Sequence, residues 1–400
     1  MKNYKILILG GGTGGISMAA RLVKHFNAGS IAIIEPSSTH YYQPFWTLIG
    51  GGIGKKEQTG KPTKCYIPKG VDWIQSSVKA VLPDQQQVIT NHDQSFKYDC
   101  LIISTGLEYQ YENLKGLSGN LGKNGIHTIY DYKGCEETFK ALNSIRKGEV
   151  LFTMPPPPMK CPGAPQKIMY LADEIFRKNN CRDQIQLSWY TAGAAMFGVP
   201  TFAAPLKKIV DQKNIHAHFG HKLIEIKADQ KTAVFEKNVD GKTEILEKKF
   251  DFIHVIPPQG AHGYLKQSPL LHQDGLQKGF LKVDIHTLQH QDYKNIFGIG
   301  DITGVPNSKT GAAIRNAAPL LVKNILSFFE GKELTEKYSG YASCPLVTGY
   351  GKVILAEFGY DGKLMPSFPL DPQKEHYVYW ILKRYLLPIF YWWGMLRGRM

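Results

Sequence analysis

The sequence lacks the features of a disulfide-rich, zinc-binding or membrane-spanning chain. Its six cysteines are spread over 400 residues and form no C-x-x-C pair. Neither a disulfide scaffold nor a metal site is therefore expected. No signal or transit peptide is expected either, because a glycine-rich motif begins at Gly10. The longest uncharged run of the C-terminal 25 residues is 12 residues, whereas roughly 20 are needed to span a bilayer.

Acidic residues are scarce relative to basic ones. The chain has 48 Lys and Arg against 34 Asp and Glu, a formal charge of +14, which favours anionic partners such as nucleic acid or anionic lipid. The basic residues are scattered, and no helix-turn-helix, zinc-finger or RNP motif is present, so no nucleic-acid partner is expected. At 43% hydrophobic and 20% charged residues, a chain of this length predicts a globular protein of two or three domains.

The N-terminal stretch has the pattern of a dinucleotide-binding motif. Residues 5–9 predict a buried strand, residues 16–26 predict a helix, and Gly10, Gly12 and Gly15 between them have G-x-G-x-x-G spacing. In this context the glycines allow a tight turn, close approach of a pyrophosphate and close packing of helix on strand. The pyrophosphate then lies at the helix N-terminus.

A second predicted strand, residues 31–34, ends at Glu35, twenty residues after Gly15. An acid at this distance accepts hydrogen bonds from a ribose hydroxyl. These features predict a bound dinucleotide and leave open whether it is FAD or NAD.

The middle of the chain predicts a second Rossmann-like unit. Residues 149–153 and 185–190 predict strands and residues 166–178 predict a helix. Where a nicotinamide-binding domain would carry glycines, however, the chain has Pro155 to Pro158. An echo of an earlier strand, Tyr98 to Gly106, recurs at residues 250–258 and suggests two related α/β domains.

Gly300 and Asp301 follow a further predicted strand and precede a helix predicted over residues 310–330. Taken alone, the position of Asp301 before a helix equally predicts a helix N-cap. Together with the N-terminal motif, it resembles the two-part FAD site of the glutathione-reductase-like flavoproteins, and Thr105 and Gly106 match that family's small-residue turn. The resemblance implies FAD, held non-covalently.

That resemblance also implies a domain layout. The expected fold is α/β, with two Rossmann-like domains and a C-terminal region that carries membrane-interface helices. The FAD domain is discontinuous and comprises residues 1–110 and 255–330. The second domain comprises residues 111–254, and the C-terminal region comprises residues 331–400.

Two cysteines have surroundings that indicate reactivity. Cys161 follows Lys160 and precedes a predicted helix, and both a cation and a helix N-terminus lower a thiol pKa. Cys161 and Cys344 are each followed by proline. The remaining cysteines read best as small buried hydrophobic residues. They are Cys65, Cys100, Cys135 and Cys181.

Residues 159–171, 341–350 and 353–358 resemble the sulfide:quinone oxidoreductases, in the subgroup that includes the mitochondrial enzyme. The resemblance covers nearly the whole chain. It implies that Cys161 and Cys344 form a redox disulfide beside the flavin, and that hydrogen sulfide attacks Cys344 to give a persulfide. Cys161 then passes two electrons to FAD, and ubiquinone or another quinone reoxidises it. The persulfide sulfur goes to an acceptor such as glutathione, sulfite or sulfide.

The same resemblance matches Lys309 to a family lysine near the flavin and quinone, although a solvated loop lysine is the plain alternative. The quinone pocket is expected to include Phe358 and aromatic residues of the C-terminal tail. This tail, residues 376–400, has eight aromatic residues flanked by basic ones, and Pro388 is expected to break or kink a single helix there. Such a segment suits peripheral attachment to a membrane, for example a bacterial cytoplasmic membrane. Its alternative is an arm on a partner subunit, which leaves a homo-oligomer open.

Three other functions compete with this reading. A type II NADH:quinone oxidoreductase would need a second glycine motif near residues 152–165. The flavin subunit of a cytochrome-linked sulfide dehydrogenase would be exported and would not need the tail. A flavin-bearing scaffold without enzymatic activity would leave the contexts of the two cysteines unexplained.

Overall fold

The structure is a computed structural model that describes residues 1–239 and 241–400. Its two main sheets are one mixed sheet and one parallel sheet, with helices packed on them. This is an α/β fold, as predicted. The α-helices of the described residues are α1 (Thr13–Leu22), α2 (Trp46–Gly50), α3 (Gly134–Ser144), α4 (Ala164–Lys178), α5 (Pro200–Gln212), α6 (Gly263–Lys266), α7 (Gly311–Phe329), α8 (Tyr377–Ile381) and α9 (Leu387–Ile389).

The first sheet is organised around the N-terminal strand Lys2–Leu9, whose residues Ile6 to Leu9 are fully buried. Burial on both faces explains why this strand reads as a continuous apolar run. The spatial order of the main strands is Val71–Ile74, Ile31–Ile34, Lys2–Leu9, Ser95–Ile103, Gln87–Thr90 and Val78–Leu82. Ile296–Gly298 also pairs in parallel with Ser95–Ile103, so the chain leaves this sheet and returns to it.

The second sheet is parallel, and a separate three-stranded antiparallel layer contacts it. Its strands, in spatial order, are Ile126–His127, Phe252–His254, Gly148–Met154, Ile185–Thr191 and His216–Phe219. The antiparallel layer consists of His221–Lys227, Thr232–Val239 and Lys242–Lys249. Two short pairings join Thr39–Tyr41 to Gly60–Pro62 and Glu108–Tyr109 to Gln259–Gly260.

Helix boundaries differ from the sequence prediction at the N-terminal motif. Helix α1 begins at Thr13 rather than residue 16, because the backbone of Gly12 is extended and its carbonyl accepts the Ile16 N–H at 3.1 Å. It ends at Leu22 in a turn rather than at residue 26. In the C-terminal region, Ala342–Gly349 and Lys352–Phe358 form an antiparallel hairpin.

The aromatic tail remains helical across Pro388, so of the two expected effects of this proline a break does not occur. Helices α8 and α9 are joined by a π turn at Leu382–Leu386, and a second π turn covers Phe390–Gly394. Pro388 lies in the first turn of α9, where the absence of its N–H group removes few backbone hydrogen bonds. The wider π turns on either side continue the helical backbone around it. Among the described residues, no helix has both the length and the apolar character needed to cross a bilayer.

The closest backbone approach in the N-terminal motif is at Gly15. A Cβ atom there would lie 1.8 Å from the carbonyl oxygen of Gly10. We expect Gly15→Ala to lower the free energy of unfolding by about 1–3 kcal/mol, because helix and loop must move apart. Chemical denaturation measures this change. Gly263→Ala is the control, because a Cβ atom at Gly263 meets nothing within 4 Å; equal stability of the two variants would contradict the prediction.

Candidate functional site

One cavity of about 600 Å³ brings together segments that are distant in the sequence. Its wall includes the glycine motif, the loop that carries Cys161, the N-terminus of α7, the C-terminal hairpin and the tail. The candidate site is therefore assembled from both sheets and the C-terminal region.

The glycine motif forms one end of the cavity. Gly10 has φ +93°, which favours glycine, and a Cβ atom on Gly12 would project into open space. The Ser104 hydroxyl donates to the carbonyl oxygens of Leu9 and Gly10, both at 3.0 Å, and fixes the turn against the neighbouring strand. The first N–H groups of α1 consequently face a space without side chains, as an anion site at a helix N-terminus requires.

Glu35 lies at the end of its strand beside this turn. Its Oε2 accepts the Gly11 N–H at 2.7 Å and its Oε1 accepts the Ser37 N–H, also at 2.7 Å. A carboxylate has about four acceptor positions, so each oxygen retains capacity for a hydroxyl group. Glu35 also lines the cavity.

The other predicted cofactor residues line the same cavity. Thr105 Oγ1 is buried at the cavity wall, and Gly106 has φ +65°. Gly300 has φ +87° and turns the chain so that Asp301 borders the cavity. Burial raises the pKa of Asp301, and the ammonium groups of Lys160 and Lys309 oppose that rise.

Lys309 is buried, which excludes the solvated loop lysine considered from the sequence. Its Nζ donates to the carbonyl oxygens of Thr303 at 2.6 Å and Val305 at 3.0 Å. Burial lowers its pKa to about 8. Its own carbonyl oxygen accepts the Cys161 N–H at 2.8 Å, so the segment after Asp301 holds the first cysteine in place.

Cys161 and Cys344 meet at this cavity as free thiols. Cys161 has a left-handed backbone, φ +47°, and its carbonyl oxygen accepts the Tyr130 hydroxyl at 3.0 Å. Cys344 lies on the hairpin strand that packs against α4. A Cβ atom on Gly163 would lie 2.4 Å from Cys344 Sγ, so the close approach of loop and hairpin requires glycine at position 163.

The two sulfurs have opposite electrostatic character. The neighbouring Cys344 thiol lowers the pKa of Cys161 well below its usual value, against the effect of burial, and the ammonium groups of Lys167 and Lys383 lower it further. The Lys167 Nζ lies 3.7 Å from Cys161 Sγ. The pKa of Cys344 is raised, first by its contact with Cys161 and then by burial. Cys161 is therefore the thiolate of the pair.

Lys383 brings a second ammonium group to this cavity from the C-terminal tail. Its side chain is buried, and its Nζ donates to the carbonyl oxygen of Pro44 at 2.8 Å. Burial, together with the nearby Lys167, lowers the pKa of Lys383 to about 7. Lys160, which the sequence placed beside Cys161, instead donates to Gln43 Oε1 at 2.8 Å and lies over the ring of Tyr109.

The other four cysteines do not line this cavity. Cys65 is exposed, which corrects its expected burial, whereas Cys100, Cys135 and Cys181 are buried. Burial raises the pKa of Cys135 to about 12. Their surroundings agree with the reading of the buried three as small core residues.

Phe358, the expected quinone-pocket residue, does not line this cavity. In the hairpin, Phe358 pairs with Ala342 and packs against the rings of Phe197 and Phe202. Side chains alternate along a strand, so the preceding Glu357 faces the other way and lines the cavity. The tail aromatics Phe390 and Tyr391 do line it.

Several cavity residues were not found from the sequence. Lys167 lies one helical turn after the start of α4, and this spacing from Cys161 was an available signal. Lys383, His40 and Tyr391 carry no local signal, because the fold alone brings them to the site. Gly163 was part of the Cys-Pro-Gly motif, but its packing role depends on the hairpin.

A two-sheet α/β fold with a glycine turn, a Gly-Asp turn and two cysteines on one cavity defines a dinucleotide-dependent oxidoreductase. Residues 4–147 match the pyridine nucleotide-disulphide oxidoreductase family. The chain is 46% identical over its full length to the mitochondrial sulfide:quinone oxidoreductase of Dictyostelium discoideum and covers 87% of that protein. The chain belongs to the sulfide:quinone oxidoreductase family, a family of FAD-dependent flavoproteins.

Two further proteins agree with this assignment. The mitochondrial sulfide:quinone oxidoreductase of Mus musculus is 40% identical over 99% of this chain, which covers 87% of that protein. The solved sulfide:quinone oxidoreductase of Aquifex aeolicus has a TM-score of 0.80 at 18% identity and shows the same fold over 100% of this chain and 92% of its own.

The contact of Lys167 with Cys161 generates a prediction about thiol reactivity. Lys167→Met removes the cation and keeps an unbranched side chain, so we expect the pKa of Cys161 in the reduced protein to rise by about one unit. The pH dependence of iodoacetamide labelling, followed at the Cys161 peptide by mass spectrometry, measures this shift. Lys178→Met, at the exposed end of the same helix, is the control. An unchanged profile in Lys167→Met would rule out this role.

Proposed function

We propose that this chain oxidises hydrogen sulfide at Cys161 and Cys344 and passes two electrons through non-covalently bound FAD to ubiquinone or another quinone. The observation that carries the proposal is the shared cavity, which joins the two cysteines to the glycine motif and to Asp301. Membership of the family supports the same reaction.

The residues present fit FAD. The N–H groups at the start of α1, beside the open face of Gly12, suit the pyrophosphate. Glu35 suits the ribose hydroxyls, and the Thr105 hydroxyl and the turns at Gly106 and Gly300 would border the rest of the cofactor. When bound, the flavin supplies a two-electron acceptor and donor.

The thiol pKa of Cys161 is lower than that of Cys344, and this difference determines which sulfur of their disulfide is attacked. In thiol–disulfide exchange the thiol of lower pKa leaves faster. Hydrosulfide is therefore directed to Cys344, where the S–S bond breaks, a new S–S bond forms and Cys161 leaves as the thiolate. Lys167, whose pKa is raised by the Cys161 thiolate against the effect of burial, remains charged beside it.

Two further steps remove the outer sulfur and return the two cysteines to the disulfide. An acceptor thiolate or sulfite takes the outer sulfur from the Cys344 persulfide and leaves Cys344 reduced. Reoxidation of the two cysteines to the disulfide releases two electrons and two protons, and reduction of a quinone to a quinol consumes the same number. Glutathione, sulfite and sulfide all have the nucleophilic atom that this acceptor needs.

The apolar part of the cavity wall suits the quinone. Leu382, Leu387 and Phe390 of the tail and Phe368 line it, and the tail gives it a route toward the surface. Phe368 and Phe390 are 43% and 40% exposed, so part of this wall borders solvent. We place the quinone here rather than at Phe358.

We expect sulfide, but not NADH, to bleach the flavin absorbance of the anaerobic holoenzyme. Cys161→Ser and Cys344→Ser should each retain FAD and lose sulfide-dependent bleaching by at least about a hundredfold, because neither variant can form the disulfide. Stopped-flow absorbance measures the rates, and Cys65→Ser, an exposed cysteine outside the cavity, is the control.

Rapid bleaching by NADH alone would instead favour the NADH:quinone oxidoreductase alternative. The loop after strand Gly148–Met154 argues against that outcome, because it begins with Pro155 to Pro158 instead of glycines. Sulfide-dependent turnover that survives in either cysteine variant would overturn the proposed chemistry.

We infer that the outer face of the tail lies in a membrane interface, which makes the protein peripheral. Tyr385, Ile389 and Trp393 lie four residues apart, share one side of the helical path and are 49%, 52% and 60% exposed. Arg384 and Arg397 flank this face, and the chain has a formal charge of +14. Apolar residues with basic neighbours favour an anionic lipid surface.

We expect a combined Tyr385→Ser, Ile389→Ser and Trp393→Ser variant to bind anionic vesicles at least about tenfold more weakly, because apolar side chains stabilise interfacial binding in proportion to their buried area. Vesicle cosedimentation measures the loss, and the flavin content verifies the fold. Ile245→Ser with Leu276→Ser, exposed apolar residues elsewhere on the surface, is the control. Equal cosedimentation of both variants would place the lipid contact elsewhere.

A further inference from the structure

The inner face of the tail contacts the glycine motif through one buried hydroxyl. Tyr391 is 6% exposed, and its hydroxyl oxygen lies 2.8 Å from Thr13 Oγ1 and 2.5 Å from His40 Nε2. On the other side of the imidazole, His40 Nδ1 lies 3.2 Å from the carbonyl oxygen of Gly11. Tyr391 is thereby joined to both sides of Gly12.

The direction of each hydrogen bond follows from the groups involved. The Gly11 carbonyl can only accept, so His40 Nδ1 carries a proton and donates it. Burial lowers the pKa of His40 to about 4, so the imidazole is neutral at pH 7 and its Nε2 accepts from the Tyr391 hydroxyl. The Thr13 hydroxyl then donates to the Tyr391 oxygen. Each group in this chain of three hydrogen bonds has one consistent role.

The contacts continue along the length of α1. The carbonyl oxygen of Met395 accepts from the Arg21 guanidinium and from the Ser17 hydroxyl, both at 3.4 Å. The Lys24 ammonium donates to the carbonyl oxygen of Gly398 at 3.2 Å. The end of the tail is therefore held against the helix whose N-terminus faces the cofactor cavity.

Aromatic packing orients Tyr391 independently of its hydroxyl. Its ring centroid lies 4.6 Å from that of Tyr42, and the neighbouring Trp392 lies 5.0 Å from Tyr66. Tyr391, Met395 and Met400 all line the cavity. Replacement of the hydroxyl alone should leave this packing in place.

We propose that Tyr391 and His40 are positioning residues for FAD, through which the tail clamps the glycine motif in the conformation that binds the pyrophosphate. Tail docking and cofactor binding then stabilise each other, because coupling between two binding events is reciprocal. The inference rests on the proposed function only in requiring FAD in this cavity; it is independent of sulfide and quinone.

Tyr391→Phe tests this coupling, because it removes two hydrogen bonds and keeps the ring. The expected result is FAD dissociation about tenfold faster than in the wild type, followed as the rise of free-flavin fluorescence after dilution of the holoenzyme. Tyr377→Phe is the matched control, since the same substitution at an exposed tail residue that does not line the cavity should leave the rate unchanged. FAD loss from Tyr391→Phe at the wild-type rate overturns the proposal.

A second measurement uses the wild-type chain and separates positioning from general stability. Tryptic cleavage after Arg384 and Arg397 should be at least about threefold slower with saturating FAD than after dilution to partial FAD loss. Cleavage at the exposed Lys178, remote from the cavity, serves as the internal reference. Tail cleavage that does not respond to FAD overturns the coupling. A chain that binds no FAD would instead refute the cofactor assignment itself.

Discussion

A thiolate in a protein interior is stable only beside cations or hydrogen-bond donors, and this requirement organises the site around Cys161. Lys167 from α4 lies 3.7 Å from the sulfur, and Lys383 from the tail acts on its pKa through its charge. Burial, and then repulsion by Lys167, lowers the pKa of Lys383 to about 7. The active sulfur thus depends on a segment more than two hundred residues away along the chain.

The backbone of Cys161 adds a second constraint. A non-glycine residue at φ +47° costs about 1–3 kcal/mol and persists only where its surroundings enforce it. Here the Cys161 N–H donates to Lys309, and its carbonyl accepts from Tyr130. The same Lys309 follows the Gly300–Asp301 turn on the other sheet, so the position of the sulfur is fixed relative to the predicted cofactor residues.

What could be predicted from the sequence depended on how local the cause is. The spacing of Gly10, Gly12 and Gly15 is a local signal, and the strands and helix around it were predicted apart from the limits of the first strand and of the helix. Whether Phe358 faces the cavity could not be predicted in this way, because the side of a strand that faces a cavity is set by its pairing. Glu357 faces the cavity for the same reason.

The tail shows why composition alone could not separate two roles. Its eight aromatic residues predict one interfacial segment, yet they lie on two sides of the helical path. Tyr391 and Trp392 are buried against the N-terminal domain, while Tyr385 and Trp393 are exposed. The division follows from π turns around Pro388, which change the angular spacing of successive residues. The exposed face that we propose contacts lipid and the buried face that contacts the glycine motif therefore belong to one continuous helical segment.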